Sequence, residues 1–229
     1  MIGIQARSTS QRLPRKHHEM VGNKRLLDHV IDSCQSARQY VNSKSSVEHA
    51  FVVLLTPTGD AIGEDFNRND THVFYGSEMD VLDRYMQAST YHRASHIVRI
   101  TGDCPLVPPF MISKMVMLGL SANYDYLSNV DHRCRSAIDG TDVEFMSERL
   151  LTWLDHYSKD REHVTILARE SPPPWARVGF VGHYFDLSNV KLSVDTAEDL
   201  EKVRDCFDAS QDKYREALKY YNKKNIHRM

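Results

Sequence analysis

Apolar residues recur along the chain in two alternating rhythms. Ile2 and Ile4 open a short buried-strand pattern. A polar, basic stretch over 7–16 follows, contains Pro14, and reads as a loop. Leu26, Leu27, Val30 and Ile31 recur at helical spacing and predict a helix over about 25–40. The apolar run 51–55, stopped by Pro57, has the look of a strand covered on both faces. Val73, Phe74 and Tyr75 predict a third strand, ended by Gly76, and Val81, Leu82, Tyr85 and Met86 the next helix. A fourth strand over 97–100 stops at Gly102, Met111, Met115 and Leu118 continue with a helix, and 124–127 with a strand. The alternation predicts an α/β layered fold with a mostly parallel central sheet. Ligands bind beyond the carboxyl ends of such strands, where the loops starting at Arg7, Gly76 and Gly102 would meet.

The second half is less regular. Helices are expected near 147–157 and 161–170, a break at Pro172 to Pro174, strands within 175–185, and a short strand over 191–194. Thr196 and Asp199 resemble a capping box opening a helix to about residue 207. With no repeat and no linker, the reading is one domain over 1–209 with a small arm over about 129–185. A basic helical tail over 210–229 carries Tyr214, Leu218 and Tyr221 on one stripe, read as packing.

Composition narrows the class. The 229 residues are 41% hydrophobic and 26% charged, which suits a globular chain and not a disordered one. No apolar run approaches the roughly 18 residues of a membrane span, and the segment 2–4 is too short for a signal-peptide core. Cys34, Cys104, Cys134 and Cys206 are widely spaced with no CxxC, so free thiols in a cytoplasmic protein are expected and zinc is not. The net charge of -2 argues against a nucleic-acid binder, but it averages unequal parts. Residues 1–44 carry eight Lys and Arg against three acids, and the last twenty residues carry six against two. A local anion site on an acidic body is one reading, and scatter between solvated faces the other.

Three segments hold candidate chemistry. IQARSTSQRLPRK (4–16) leaves a strand with three arginines, a lysine and three hydroxyls, the donors a polyphosphate needs, although it is no Walker loop. RITGDCPLVPP (99–109) leaves Asp103 at a strand end, where it would hold a divalent metal, or else cap the helix near Pro109 or form an Asx turn. KLSVDTAEDL (191–200) assigns Thr196 and Asp199 to the cap, leaving Asp195 as a free carboxylate able to share a metal with Asp103.

These segments, in this order, resemble the cytidylyltransferase family, including the CMP-sugar-acid synthetases and most closely its SpsF-like branch. YGSEMDVLDRY (75–85), the SNVDHR and DGTDVE stretches within 128–144, and REHVT (161–165) also resemble that branch, so the likeness runs from residue 1 to about 207. It implies a Rossmann-like, GT-A-like three-layer nucleotidyltransferase with a dimerisation arm, a homodimer, and CTP and Mg²⁺ as ligands. By resemblance, Ala6, Arg7, Ser10, Arg12 and Lys16 wrap the CTP phosphates, and Asp103 and Asp195 bind metal. Ser77, Asp80 and Arg84 fall near the nucleoside, and Arg133, Asp139, Asp142, Glu144 and His163 face a small anionic acceptor. Arg135 would join Arg133 in holding an anion, and His163 has a helix-N-terminal structural role as its alternative.

The implied reaction is CMP transfer from CTP to a sugar acid or a phosphonate or phosphate compound, with release of pyrophosphate. Arg7, Lys16, Asp103 and Asp195 would carry it, in the making of surface polysaccharides or glycoconjugates. Thr9 and Arg15 depart from the family pattern, which has glycine at both positions; a side chain there meets φ > 0 only at a steric cost. Two other classes compete: a nucleotide-sugar glycosyltransferase, against which stands the lack of a DxD motif, and a non-catalytic relative with an altered loop.

Overall fold

The computed structural model describes residues 1–44, 49–130, 136–182 and 186–209. Its centre is a seven-stranded sheet. In chain order the strands are β1 (Ile2–Gln5), β4 (Val52–Pro57), β5 (His72–Gly76), β6 (His96–Thr101), β7 (Tyr126–Ser128), β8 (Glu144–Ser147) and β9 (Val178–Phe180). A separate antiparallel hairpin pairs β2 (Met20–Val21) with β3 (Lys24–Arg25). The sheet runs β5-β4-β1-β6-β8-β7-β9, and its first four strands are parallel. Only β8 opposes its neighbours, pairing antiparallel with β6 and β7.

Strand parity explains the two faces. Val52 and Leu54 point with Ile2, Ile4, Val98 and Ile100 into a core shared with helices α1 (Leu26–Lys44) and α4 (Pro109–Ser121). Val53 and Leu55 point the other way, to a core with α3 (Val81–His92), α5 (Glu148–Tyr157) and α6 (Ile166–Glu170). Helices on both sides are why the 51–55 run lacks polar alternation. A third, smaller cluster of Val21, Leu26, Leu192, Val194, Leu200 and Val203 seats α7 (Ala197–Ala209) on the hairpin. That cluster carries the segment holding Asp195 back towards the first loop.

Several sequence expectations shift. Residues 191–194 form no strand; their ladder is one isolated parallel bridge between Asp139 and Lys191. Strand β8 was not expected, because its leading residue is Glu144. The helix expected over 161–170 begins only at Ile166, and the strand expected over 124–127 lies at Tyr126–Ser128. The capping box is formed: Thr196 N donates to Asp199 Oδ2 at 3.1 Å, and Asp199 N to Thr196 Oγ1 at 3.2 Å. No helix among the described residues is long and apolar enough to cross a membrane.

Candidate active site

The first loop leaves β1 at the carboxyl edge and is moored on several sides. Ala6 is buried, its amide donating to the Leu55 carbonyl at 3.0 Å. Ser8 N donates to Asp60 Oδ2 at 2.7 Å, and the other oxygen of Asp60 accepts Ile62 N at 3.0 Å, opening the short helix α2 (Ile62–Asp65). Thr9 Oγ1 donates to Glu78 at 2.8 Å, and Arg7 pairs with Glu162 at 2.9 Å. Ser10 sits half-buried between these anchors.

The loop then drops through Arg15 into a single 3-10 turn, Lys16–His18. Arg15 has φ 56° and ψ 26°, the left-handed conformation in which a side chain costs about 1–2 kcal/mol. Thr9, by contrast, is not among the positive-φ residues. Of the two positions where the family pattern has glycine, one keeps the glycine-type backbone and the other needs none.

That turn sends Lys16 inward. The residue is only 7% exposed, and its Nζ donates to Asp103 Oδ2 at 2.9 Å, to the Val194 carbonyl at 2.8 Å and to Asp195 Oδ1 at 3.3 Å. Gly102 makes this convergence possible. A Cβ there would lie 2.9 Å from the Gln5 carbonyl oxygen and 3.0 Å from His17 Nε2. Val194 N donates to the Asp103 carbonyl at 2.9 Å, so the two aspartate-bearing segments are joined through the backbone. Asp103 does not cap α4; the capping position there is Pro108. Burial alone would raise the Asp103 pKa, but the Lys16 ammonium outweighs it and holds the carboxyl below its ordinary value.

Asp195 is not the free carboxylate expected. Its Oδ1 also meets Arg12 at 3.1 Å, and its Oδ2 meets Lys191 at 3.2 Å. Lys191 continues to Asp199 at 2.7 Å. Against the opposing effect of burial, Lys191, the Asp195 amide and Thr196 hold the Asp199 pKa down to about 2.

The loop after β5 is built mainly from caps. Ser77 Oγ accepts Asp80 N at 3.0 Å, and Asp80 Oδ1 caps α3 by accepting Asp83 N at 2.7 Å. The other oxygen of Asp80 accepts Arg161 Nε at 2.8 Å, and Arg161 also grips Asp155 at 2.6 Å. Both oxygens of Asp80 therefore serve structure. Arg84 is 2% exposed, with Nε and Nη1 unpartnered among the described residues, and burial lowers its pKa. Its charge environment includes Arg7, Asp60 and Glu78, which places it beneath the first loop.

The acceptor-side candidates separate. Gly140, at φ 102°, lets the 139–142 turn press on the backbone of Leu192 and Ser193, where a Cβ would come within 2.5 Å. Asp139 and Asp142 are half-buried there. With Asp103 they add to the effect of burial in pushing the Cys104 thiol well above its ordinary pKa, so the three carboxylates share one neighbourhood. Glu144 does not join them: it is 1% exposed, bound by Arg99 and Thr165 at 2.5 Å each and by the Tyr126 hydroxyl. Its carboxylate is satisfied inside the fold. His163 is 64% exposed at its side chain and leans on Asp160 at 3.0 Å, in a turn ahead of α6. Arg133 and Arg135, like the 210–229 tail, lie outside the described residues.

Sequence reasoning missed Asp60, Glu78, Glu162 and Lys191 as parts of the site. Lys191 had a signal, four residues ahead of Asp195 in an extended run; Asp60 follows the end of a parallel strand. Among the described residues, no group of three or more His, Cys, Asp and Glu side chains gathers to hold a metal. Asp103, Asp195 and the Val194 carbonyl nevertheless form a hard-oxygen set that fits a divalent cation whose other ligands come from phosphate or water.

Cations and carboxylates meeting at the carboxyl edge of a parallel sheet mark an α/β protein that works on phosphate esters. The chain belongs to the cytidylyltransferase family, whose model matches residues 1–227. It is therefore a nucleotidyltransferase that uses CTP as the donor of CMP. It is 32% identical over 207 residues to an uncharacterised protein of Methanocaldococcus jannaschii, covering 88% of this chain and 80% of the other. It is 29% identical over 208 residues to the spore coat polysaccharide biosynthesis protein SpsF of Bacillus subtilis, covering 88% and 83%. Among solved structures, a cytidylyltransferase from Leptospira borgpetersenii superposes with a TM-score of 0.77 at 28% identity, over 98% of this chain and 94% of that one.

Proposed function

We propose that this protein transfers CMP from CTP to a small anionic acceptor, a sugar acid or a phosphonate or phosphate compound, in surface polysaccharide or glycoconjugate synthesis. The observation that carries the reading is the convergence of Lys16 and Arg12 on Asp103 and Asp195 at the sheet edge. An acceptor oxygen, already ionised in a phosphonate or phosphate and giving its proton to water in the hydroxyl of a sugar acid, bonds to the α-phosphorus, the bond from that phosphorus to the bridging oxygen breaks, and pyrophosphate leaves. Arg7, Arg12 and Lys16 neutralise the leaving pyrophosphate, with Ala6 and Ser10 lining the loop. Arg84 and Ser77 lie on the nucleoside side, and Asp139 and Asp142 on the acceptor side. Asp103 and Asp195 would hold a divalent cation, Mg²⁺ in this reading, which supplies positive charge to the phosphate oxygens. A cytoplasmic homodimer joined through about 129–185 completes the proposal.

Pyrophosphate release from CTP and Mg²⁺ across sugar acids, phosphosugars and phosphonates tests it. One acceptor class should turn over; silence from the whole panel would remove the proposed acceptor chemistry.

A further inference from the structure

The Lys16 ammonium has three N–H donors, and three oxygens receive them: Asp103 Oδ2, the Val194 carbonyl and Asp195 Oδ1. Two carboxylates and a carbonyl are the donor types a hard cation takes. The lysine is buried at that point and turned inward by the left-handed Arg15 before it. Its neighbours are unequally placed. Asp195 keeps Arg12 and Lys191 when Lys16 is set aside, whereas the ion pair of Asp103 among the described residues is with Lys16.

Resting on the proposed metal role of the two aspartates, we infer that Lys16 is the resident cation of their site in the nucleotide-free protein, holding it closed to divalent metal until the triphosphate draws the lysine away. A divalent ion and an ammonium cannot share oxygens this close without strong repulsion. A buried ammonium leaves its carboxylates only for another anion, and the triphosphate is that anion. Metal and nucleotide therefore favour one another's binding through the two positions of one side chain, and the coupling is reciprocal. The two-carboxylate count among the described residues points the same way: a hard cation there has ligand positions left for phosphate oxygens.

Mn²⁺ binding to the nucleotide-free protein, followed by the electron paramagnetic resonance signal of the free ion, reads this without turnover. Wild type should bind weakly. Lys16→Met should bind at least tenfold more tightly, and adding Asp103→Asn to that variant should abolish the gain. Lys191→Met removes the same charge from the rim of Asp195 and should give well under half the effect. An equal gain there would mean that net charge alone is at work and would overturn the inference. Thermal melts check folding, and Lys16→Gln, which removes the charge but keeps two N–H donors on a shorter side chain, carries the test if Lys16→Met does not fold. If CTP recruits Mn²⁺ to wild type while Lys16→Met leaves the nucleotide-free affinity unchanged, this inference alone is lost. If CTP recruits no Mn²⁺ beyond what it binds in solution, the proposed metal site is wrong and the inference falls with it.

Discussion

The Val194 amide donates to the Asp103 carbonyl at 2.9 Å, across ninety-one positions of sequence. Through that bond the segment carrying Asp195 hangs on the end of β6, and the spacing of the two carboxylates becomes a property of the backbone. Lys16 then reads both at once.

Replacing Asp103 with Asn keeps the shape and removes the charge. Loss of a preorganised charge at a transferring phosphate should lower kcat/KM for CTP by about 10²- to 10³-fold. Steady-state pyrophosphate release checks it, and a loss under tenfold would place Asp103 outside the machinery.

Arg15→Gly should stabilise the protein by about 0.5–1 kcal/mol, since relief of left-handed strain exceeds the added chain entropy of glycine. Arg15→Ala keeps the Cβ and should change little. Urea unfolding of both variants decides the matter; a destabilised Arg15→Gly would show that the Arg15 side chain contributes more than its strain costs.

His17 is buried and its pKa is lowered to about 4, chiefly by burial and against the pull of Asp103. The unfolded imidazole titrates at 6.5, so between these values the unfolded state binds more protons. Stability is therefore full above pH 6.5 and falls as pH drops towards 4, by roughly 3 kcal/mol in all. Denaturant midpoints measured from pH 7 to 4 should show this slope, and His17→Phe should flatten it. The lowered carboxyl of Asp103 loses its contribution only at still lower pH.

Glu144→Gln should cost about 3 kcal/mol, because the Arg99 guanidinium, 15% exposed, loses its carboxylate partner. KM for CTP and for the acceptor should stay within about twofold in the folded protein, as expected of a group that touches neither. A selective rise in acceptor KM with unchanged stability would return Glu144 to the acceptor pocket.

What was legible in the sequence follows from locality. The first loop, Asp103 and the capping box each lie inside one strand-to-turn pattern, so the two strand ends and the cap are where the sequence puts them. Glu144 misled because its partners, Arg99, Tyr126 and Thr165, come from three other segments, so a buried ion pair looked like a polar surface residue and strand β8 went unseen. Asp195 looked free because Arg12 and Lys16 reach it from the far end of the chain. The 191–194 segment imitated a strand because Leu192 and Val194 are buried, yet among the described residues its Leu192 and Val194 amides meet single carbonyls, those of Asp139 and Asp103, in place of a ladder.

The most direct test follows the α-phosphate itself. With CTP labelled at that phosphorus, Mg²⁺ and the acceptor panel, label should pass into a CMP–acceptor conjugate, with one pyrophosphate released per transfer. UTP, ATP and GTP should be poor donors, and Asp103→Asn should be nearly silent. Label that stays in CTP or appears only as free CMP with every acceptor, or transfer that proceeds equally from UTP, would contradict the account.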